Sequence, residues 1–336
     1  MTEHEIRDHL DALAKPRGSL GRLEDLAVRL ALTQGRLDPV TRPRRVVLFA
    51  GDHGCVADGV SAWPSAVTGM MVATILGGRA TSNALAAAHD CPLRLVDVGV
   101  AGERPVDPPA FYRDARVADG TRSLAQGRAM TQAQFDAAWV VGADEARRAL
   151  GEGARLLIAG EMGIGNTTAA ACLTALLADV EPEAAVGRGA GADDRVMATK
   201  RAVVAGAVIR ARREVAPRAA IAGVAGYEIA AMAGFYAAGA AGGATLLLDG
   251  YVATAAALAA EALAPGSARA MIAGHRSAEP GHAAALAHLG LDPVLDWGMR
   301  LGEGSGALVA LPLLDSAAAL LTGVARLDEI GADRAD

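Results

Sequence analysis

Short apolar runs alternate along this chain with longer segments rich in alanine and leucine. The short runs have four to six residues, are rich in Val, Leu or Ile, and several end in Gly or Asp. Uninterrupted runs of this kind are typical of strands buried on both faces of a parallel sheet. The predicted strands are Arg45–Ala50, Leu93–Val98, Arg155–Ala159, Thr245–Leu248 and Ala270–Ala273, with Pro293–Leu295 as a further candidate.

The longer segments predict helices between these strands. In the first segment Leu20, Leu23 and Ala27 follow the helical period, which gives that helix one apolar stripe. Strands that alternate with helices indicate an α/β fold with a parallel sheet flanked by helices. The predicted helices are Ser19–Thr33, Ala66–Ala88, Thr131–Leu150, Thr167–Ala178, Asp193–Val215, Gly250–Leu263, Pro280–Leu289 and Ala307–Leu321.

The segments outside the strand region predict a second, smaller unit. A helix that precedes the first strand has no place in a simple βαβ order. We therefore expect helices from residues 1–40 and 301–336 to pair as a small helical subdomain beside an α/β domain of residues 41–300. Residues 101–130 carry Pro and Gly turns with mixed charge and predict a long surface loop.

Composition and charge exclude several classes of protein. The 336 residues are 52% hydrophobic, which excludes a disordered chain, and aromatic residues make up only 3% beside 40 glycines. Such a core must pack by close backbone approach. A net charge of −6 without a basic run gives no electrostatic footprint for nucleic acid. The three cysteines are far apart and predict neither a disulfide framework nor a zinc site.

One uncharged stretch, Ile229–Leu248, is long enough to cross a membrane. It is dominated by Ala and Gly and is bounded by Glu228 and Asp249. We interpret it as a buried helix, a glycine-rich turn and a strand, with a membrane span as the weaker alternative. The polar, acidic N-terminus does not resemble a signal peptide. We therefore expect a cytoplasmic protein.

Two glycine-rich loops are candidate phosphate sites. The sequence GEMGIGNTT, residues 160–168, reads as strand, glycine turn and helix start, where free N–H groups and the helix dipole attract anions. A capped turn without a ligand is equally consistent with it. The sequence GRGAGADD, residues 187–194, precedes a helix that carries Lys200, one of only two lysines. Lys200 is either a point charge for phosphate or an exposed helical lysine.

Three further segments carry candidate site residues. GDHG, residues 51–54, suggests a metal site, although the pattern favours Asp52 as a carboxylate that structures the loop. Ser277 follows a predicted strand within GHRSAEPGH, residues 274–282. Glu303 lies between glycines on a loop that opens a helix, where it is either a general base or a helix cap.

Together these segments resemble the nicotinate-nucleotide–dimethylbenzimidazole phosphoribosyltransferases, which make the lower-ligand nucleotide of cobalamin. The matching pieces run in family order from residue 15 to residue 307, and the most specific are GEMGIGNTT and RLGEGSGA. The resemblance implies a Rossmann-like α/β domain with a small helical domain, in a homodimer with shared active sites. It implies transfer of phosphoribose from nicotinate mononucleotide to 5,6-dimethylbenzimidazole, without a metal or another cofactor.

The resemblance also implies roles for individual residues. It makes Glu303 the general base, with Ser277 beside the reacting base. The residues that it implies for the phosphate and ribose are Glu161, Gly163, Gly165, Asn166, Thr167, Gly189 and Lys200. The residues that it implies for the benzimidazole are Ser61, Met70, Met299 and Leu301.

The chain departs from the family pattern after Pro64. A Gln-rich QEVTxQM pattern is usual there, and this chain has SAVTGMM, residues 65–71, which puts Met70 in place of a polar residue. The departure leaves the identity of the accepted base open. Alternatives are transfer to another benzimidazole, a purine or a phenolic, a non-catalytic nucleotide-binding homologue, and, from another enzyme class, a metal-dependent hydrolase.

Overall fold

A computed structural model describes residues 1–331 and places six strands in one parallel sheet. The strand order is β3-β2-β1-β4-β5-β6, and all five neighbouring pairs are parallel. This is the order of the doubly wound Rossmann sheet, so the predicted α/β fold is confirmed. The strands are β1 Arg44–Gly51, β2 Leu93–Gly99, β3 Tyr112–Asp114, β4 Leu156–Met162, β5 Thr245–Leu248 and β6 Met271–Ala273.

The winding of the sheet reverses between β1 and β4. Phe49 of β1 pairs with Glu161 of β4, so that both strands end at the same edge. In open α/β sheets, ligands bind in the crevice outside the carboxyl ends at such a switch point. The topology therefore places a candidate site beside the loops that follow β1 and β4.

Helices cover both faces of the sheet. Side chains alternate along β1, so Val46 and Leu48 face one helical layer while Val47 and Phe49 face the other. Both layers exclude water, which explains why the strand runs are apolar throughout. The helices are α1 Glu3–Asp11, α2 Arg22–Gln34, α3 Ala66–Leu76, α4 Thr81–Ala88, α5 Gln132–Gly151, α6 Asn166–Leu177, α7 Pro182–Ala185, α8 Asp194–Ala211, α9 Pro217–Ala222, α10 Tyr227–Ala241, α11 Tyr251–Leu263, α12 Gly281–Leu289 and α13 Ser305–Gly323.

The N- and C-terminal segments are hydrogen-bonded to one another. The N–H of Ala14 donates to Ala325 O at 2.7 Å, and the N–H of Leu327 donates to Ala12 O at 2.9 Å. Helices α1, α2 and α13 share one buried cluster with a face of the sheet. The division into domains 1–40, 41–300 and 301–336 stays a prediction, and residues 332–336 lie outside the described part.

Three predicted elements differ from the structure, and the first helix was not predicted. The predicted helix over residues 66–88 is two helices, because the chain turns at Gly77 and Gly78, the latter with φ +71°. The predicted loop 101–130 contains β3, a three-residue edge strand without an apolar run. Pro293–Leu295 forms only a single bridge, from Leu295 to His275. Helix α1 was not predicted, although Thr2 and Glu5 form a capping box at its start.

The stretch 229–248 is a buried helix, a turn and strand β5, so the predicted interpretation is confirmed. Helices α10 and α5 pack with glycines at their contact: a Cβ added at Gly142 or Gly234 would clash with the backbone of the other helix. Within residues 1–331, one helix, α13, is long and apolar enough to cross a membrane by length and composition, and half of it is buried in the core.

Candidate active site

A cleft with about 880 Å³ of empty space, its mouth included, opens at the carboxyl ends of β4, β5 and β6. It lies beside the switch point, where open α/β sheets bind their ligands. The predicted residues that line it are Ser61, Glu161, Gly163, Gly165, Asn166, Thr167, Gly189, Lys200, Ser277 and Leu301. Three predicted site residues, Met70, Met299 and Glu303, are not among those that line it.

The loop between β4 and α6 brings backbone to the cleft. Gly165 has φ +94° at the N-cap of α6, a conformation that favours glycine, and no side chain caps this helix. The N–H of Ile164 donates to Thr68 Oγ1 of α3 at 3.1 Å, which anchors the loop. The first turn of a 12-residue helix thus faces the cleft, an arrangement that suits an anion.

Lys200 forms hydrogen bonds to both glycine-rich loops. Its side chain is buried at 2% exposure, and Nζ donates to Thr167 Oγ1 at 2.8 Å and to Gly187 O at 2.9 Å. The alternative of an exposed helical lysine is therefore wrong. Burial lowers the pKa of Lys200, which the nearby Glu279 carboxylate opposes. The Nζ group of Lys200 thus lies beside the cleft, and its two hydrogen bonds fix both loops.

Glu161 is a buried carboxyl group on the floor of the cleft. Its Oε2 accepts a hydrogen bond from the amide of Asn166. Burial, with the neighbouring carboxylates of Asp249 and Glu228, raises the pKa of Glu161 to about 8. The group is therefore mostly protonated at neutral pH and can both donate and accept hydrogen bonds.

Ser277 is held by a neutral histidine. The N–H of Ser277 donates to His282 Nδ1 at 2.7 Å, so the opposite ring nitrogen carries the proton and faces Thr254 Oγ1 at 2.8 Å. Burial, with the nearby His275, lowers the pKa of His282 to about 3. This arrangement fixes the loop after β6 and keeps Ser277 on the cleft.

The Glu303 carboxylate is not among the groups that line the cleft; it is hydrogen-bonded to helix α4, close enough to Glu161 that its charge helps to raise the pKa of Glu161. It is 2% exposed, and its Oε2 accepts hydrogen bonds from Ser82 Oγ at 3.1 Å and Ser82 N at 3.4 Å. Leu301 and Gly302, just before it, do line the cleft. The alternative that Glu303 caps its own helix is wrong, because Asp249 accepts the N–H groups at the start of α13.

The GDHG segment supplies a buried pair beside the cleft. His53 Nε2 lies 2.7 Å from Glu228 Oε1, and both side chains are fully buried. Burial opposes protonation of the ring, yet the Glu228 carboxylate raises the pKa of His53. Asp52 accepts the N–H of Ala101 at 2.9 Å, which agrees with a loop-structuring role. Among residues 1–331, no group of three or more His, Cys, Asp or Glu side chains could hold a metal ion.

Six polar side chains of the cleft were not predicted as site residues. They are Arg188, Asp249, Tyr251, His275, Glu279 and Arg300. The N–H of Gly189 donates to Glu279 Oε1 at 2.9 Å, and Arg300 Nη1 donates to Gly189 O at 3.0 Å, so two of them clamp the second glycine loop. Asp249 could have been predicted from the sequence, because it directly follows the apolar run of β5.

Comparisons with known proteins find relatives in both sequence and structure. A family model described as phosphoribosyltransferase matches residues 1–331. The nicotinate-nucleotide–dimethylbenzimidazole phosphoribosyltransferase of Thermus thermophilus is 48% identical over 98% of both chains. The enzyme of the same name from Mycobacterium marinum is 48% identical over 100% of this chain and 93% of its own. A crystal structure of CobT from Thermus thermophilus superposes with a TM-score of 0.95 at 47% identity, over 99% of each chain.

Proposed function

Since this chain belongs to the phosphoribosyltransferase family, we propose that it transfers the phosphoribosyl group of nicotinate mononucleotide to 5,6-dimethylbenzimidazole. The products are α-ribazole 5′-phosphate and nicotinate. The observation that carries the proposal is the cleft at the switch point, where an uncapped helix N-terminus, two glycine loops and a cluster of carboxyl groups meet. The relatives' shared name supplies the two substrates.

The donor phosphate binds at the first turn of α6 in this proposal. The residues that support this assignment are Gly163, Gly165, Asn166, Thr167, Gly189 and Lys200, all of which line the cleft. Backbone N–H groups at a helix N-terminus attract phosphate, and the Lys200 ammonium adds a positive charge beside them. Glu161 lines the same cleft and binds a ribose hydroxyl. A fixed phosphate holds the reacting carbon C1′ in place for attack.

The acceptor ring binds between Ser61 and Leu301 in this proposal. Both residues line the cleft, and Trp63 beside them is half exposed, with its indole N–H donating to Ala190 O at 3.0 Å. Met70 and Met299 stay predicted base contacts, although Met70 is 65% exposed and does not line the cleft.

In our proposal, a second copy of the chain completes the part of the site that binds the acceptor ring. Trp63, Met70, Trp297 and Leu301 are large apolar side chains that are about half exposed or more. Leu301 lines the cleft, and Trp63 directly follows Ala62, which also lines it. Covering these apolar side chains with a second copy removes them from water, which favours association. Sedimentation of the purified chain tests this, with a dimer expected. A cytoplasmic location likewise stays a prediction.

The chemistry needs one proton acceptor. A ring nitrogen of the benzimidazole attacks C1′ and forms the new N-glycosidic bond, while the bond from C1′ to the pyridinium nitrogen breaks and leaves neutral pyridine nitrogen on nicotinate. Attack opposite the leaving group converts a β-linkage to an α-linkage. The other benzimidazole N–H loses its proton, and we assign the Glu303 carboxylate as the acceptor, with Ser277 beside the ring.

Product formation from nicotinate mononucleotide and dimethylbenzimidazole tests this function. The wild type is expected to make α-ribazole phosphate, and Glu303→Gln is expected to lose on the order of 10²- to 10⁴-fold in kcat, the usual contribution of a general base, while it still binds the donor. Glu183→Gln, an exposed glutamate on α7, is the matched control and should match the wild type.

Competing acceptors separate this proposal from its alternatives. Release of nicotinate with adenine or phenol, but not with dimethylbenzimidazole, would keep the phosphoribosyl transfer and change the acceptor. Donor binding without any transfer would indicate a nucleotide-binding protein. Loss of activity after exhaustive chelation would point to metal-dependent chemistry.

A further inference from the structure

Asp249 is a buried carboxylate at the carboxyl end of β5 that the proposed reaction does not use. It is 2% exposed. Its Oδ1 accepts hydrogen bonds from Gly306 N at 2.7 Å and Ala307 N at 3.3 Å, and its Oδ2 accepts one from Gly304 N at 3.1 Å. The side chain of Asp249, which follows strand β5, thus accepts hydrogen bonds from three N–H groups at the start of helix α13.

These N–H groups follow directly after Glu303. The backbone of Glu303 has φ +59°, between Gly302 at +91° and Gly304 at +73°. The left-handed region is unfavourable for a residue with a side chain, and it persists only where the surroundings fix it. A glutamate in the middle of a left-handed turn therefore requires an anchor, and Asp249 bonds to the first N–H beyond it.

Two further contacts hold the Glu303 turn in place. A Cβ added at Gly160 of β4 would lie 2.5 Å from Gly304 N, so the turn rests directly on the strand. Ser82 holds the Glu303 carboxylate from α4. If the Asp249 bonds were lost, the turn could relax and move the carboxylate away from this position.

Asp249 acts as an anion in this arrangement. Burial favours its neutral form, yet the His275 ring, 3.6 Å away, and the N–H groups of Gly306 and Ala307 lower its pKa. An ionised carboxylate forms stronger hydrogen bonds to backbone N–H groups than a neutral side chain does.

We propose that Asp249 is a positioning residue that fixes the left-handed Glu303 turn and thereby the carboxylate that accepts the proton of the acceptor base. The inference rests on the proposed function, in which Glu303 is that acceptor. Asp249 also lines the cleft, so the competing role is direct contact with the donor. The two roles differ in whether the effect of Asp249 depends on Glu303.

A double-mutant cycle separates positioning of Glu303 from direct contact with the donor. The rate of nicotinate release is measured at saturating substrates for the wild type, Asp249→Asn, Glu303→Gln and the double variant. Asp249→Asn is expected to lower kcat on the order of 100-fold, as a misplaced catalytic group does, with the KM for nicotinate mononucleotide unchanged. In the Glu303→Gln background the same substitution should cause no further loss.

Asp97→Asn is the matched control. Asp97 is a buried carboxylate at the end of β2 that also accepts two backbone N–H groups, from Gly99 at 3.1 Å and Val100 at 2.8 Å. It does not line the cleft. Its substitution should lower the melting temperature about as much as Asp249→Asn does and leave kcat unchanged in the folded enzyme. Asp249→Ser is a second, smaller variant, and circular dichroism with donor binding reports whether each variant folds.

Three results would overturn the inference. A loss that multiplies with that of Glu303→Gln, or a raised KM for the donor, would show direct contact instead of positioning. Failure of both Asp249 variants to fold, beside a folded Asp97→Asn, would make Asp249 a purely structural residue. A Glu303→Gln variant as fast as the wild type would overturn the proposed base together with this inference, whereas a slow Glu303→Gln with multiplicative losses overturns the inference alone.

Discussion

The two halves of the sheet end in similar side chains that have different surroundings. Strands β1 and β2 end near Asp52, His53 and Asp97, and strands β4, β5 and β6 end at or near Glu161, Asp249 and His275. In the first half, His53 pairs with Glu228, and none of the three residues lines the cleft. In the second half, all three line it.

The difference comes from what covers each half. The segment after β2 folds back over the first half, where Arg116 Nε donates to Asp97 Oδ2 at 2.8 Å and the N–H of Thr121 donates to Asp52 O. The loops over the second half are rich in glycine and leave space between them. A polar residue after an apolar strand therefore indicates the ligand edge of a parallel sheet, and the covering segment decides whether that residue meets a ligand.

The largest effect is expected from breaking the buried pair of His53 and Glu228 in the first half of the sheet. His53→Ala leaves the Glu228 carboxylate buried without its partner, and loss of one member of a buried pair costs about 3–5 kcal/mol of unfolding free energy. Urea unfolding measures this loss, with His288→Ala, an exposed histidine on α12, as the control.

The pH dependence of this effect has a defined sign. The folded-state pKa of His53 is raised above its usual value by Glu228. Its contribution is therefore fully present below the unfolded pKa of about 6.5 and is lost as the pH rises through the raised folded pKa. The difference between wild type and variant should shrink in alkaline solution, and a difference that grows there would contradict the pairing.

The next effect concerns the loops of the second half. Lys200→Met removes two hydrogen bonds from a buried ammonium group and the charge beside the phosphate position. Bonds to charged groups contribute about 1.5–3 kcal/mol, so the KM for nicotinate mononucleotide should rise on the order of 10- to 100-fold. Steady-state kinetics measure it, with Arg201→Met, the exposed neighbour on α8, as the control. A KM equal to that of the wild type would remove Lys200 from the donor site.

The smallest effect is expected from Glu161→Gln, which tests the raised pKa of a carboxyl group in the second half of the sheet. The pKa of Glu161 is raised to about 8 from an ordinary 4.5, so the folded state keeps a proton that the unfolded state releases. The free energy of unfolding therefore falls as the pH rises from the lower value to the higher. Glu161→Gln should remove about 1 kcal/mol of this fall between pH 7 and 8. Thermal unfolding at both pH values measures it, and an unchanged slope would refute the raised pKa.

Local patterns predicted the elements and the loops that the cleft uses. Apolar runs located five of the six strands, and glycines after β4 located the turn before α6, because both signals lie within a few residues of what they form. Strand β3 has no such run, since it is a short edge strand.

Contacts between distant residues could not be read from the sequence. The pair of His53 with Glu228 and the bonds from Asp249 to the Glu303 turn join segments far apart in the chain. The resemblance assigned Met70, Met299 and Glu303 to the site, and a single chain brings none of the three to the wall of the cleft. Their assigned roles remain proposals.

A crystal structure of the chain with nicotinate mononucleotide tests the central claim most directly, which is that the second half of the sheet carries the transfer. We predict the phosphate at the first turn of α6, within hydrogen-bond distance of the backbone N–H groups of Gly165 and Thr167, with C1′ on the side of Glu303. A nucleotide bound instead over the carboxyl ends of β1, β2 and β3, or a phosphate far from Lys200, would contradict the account.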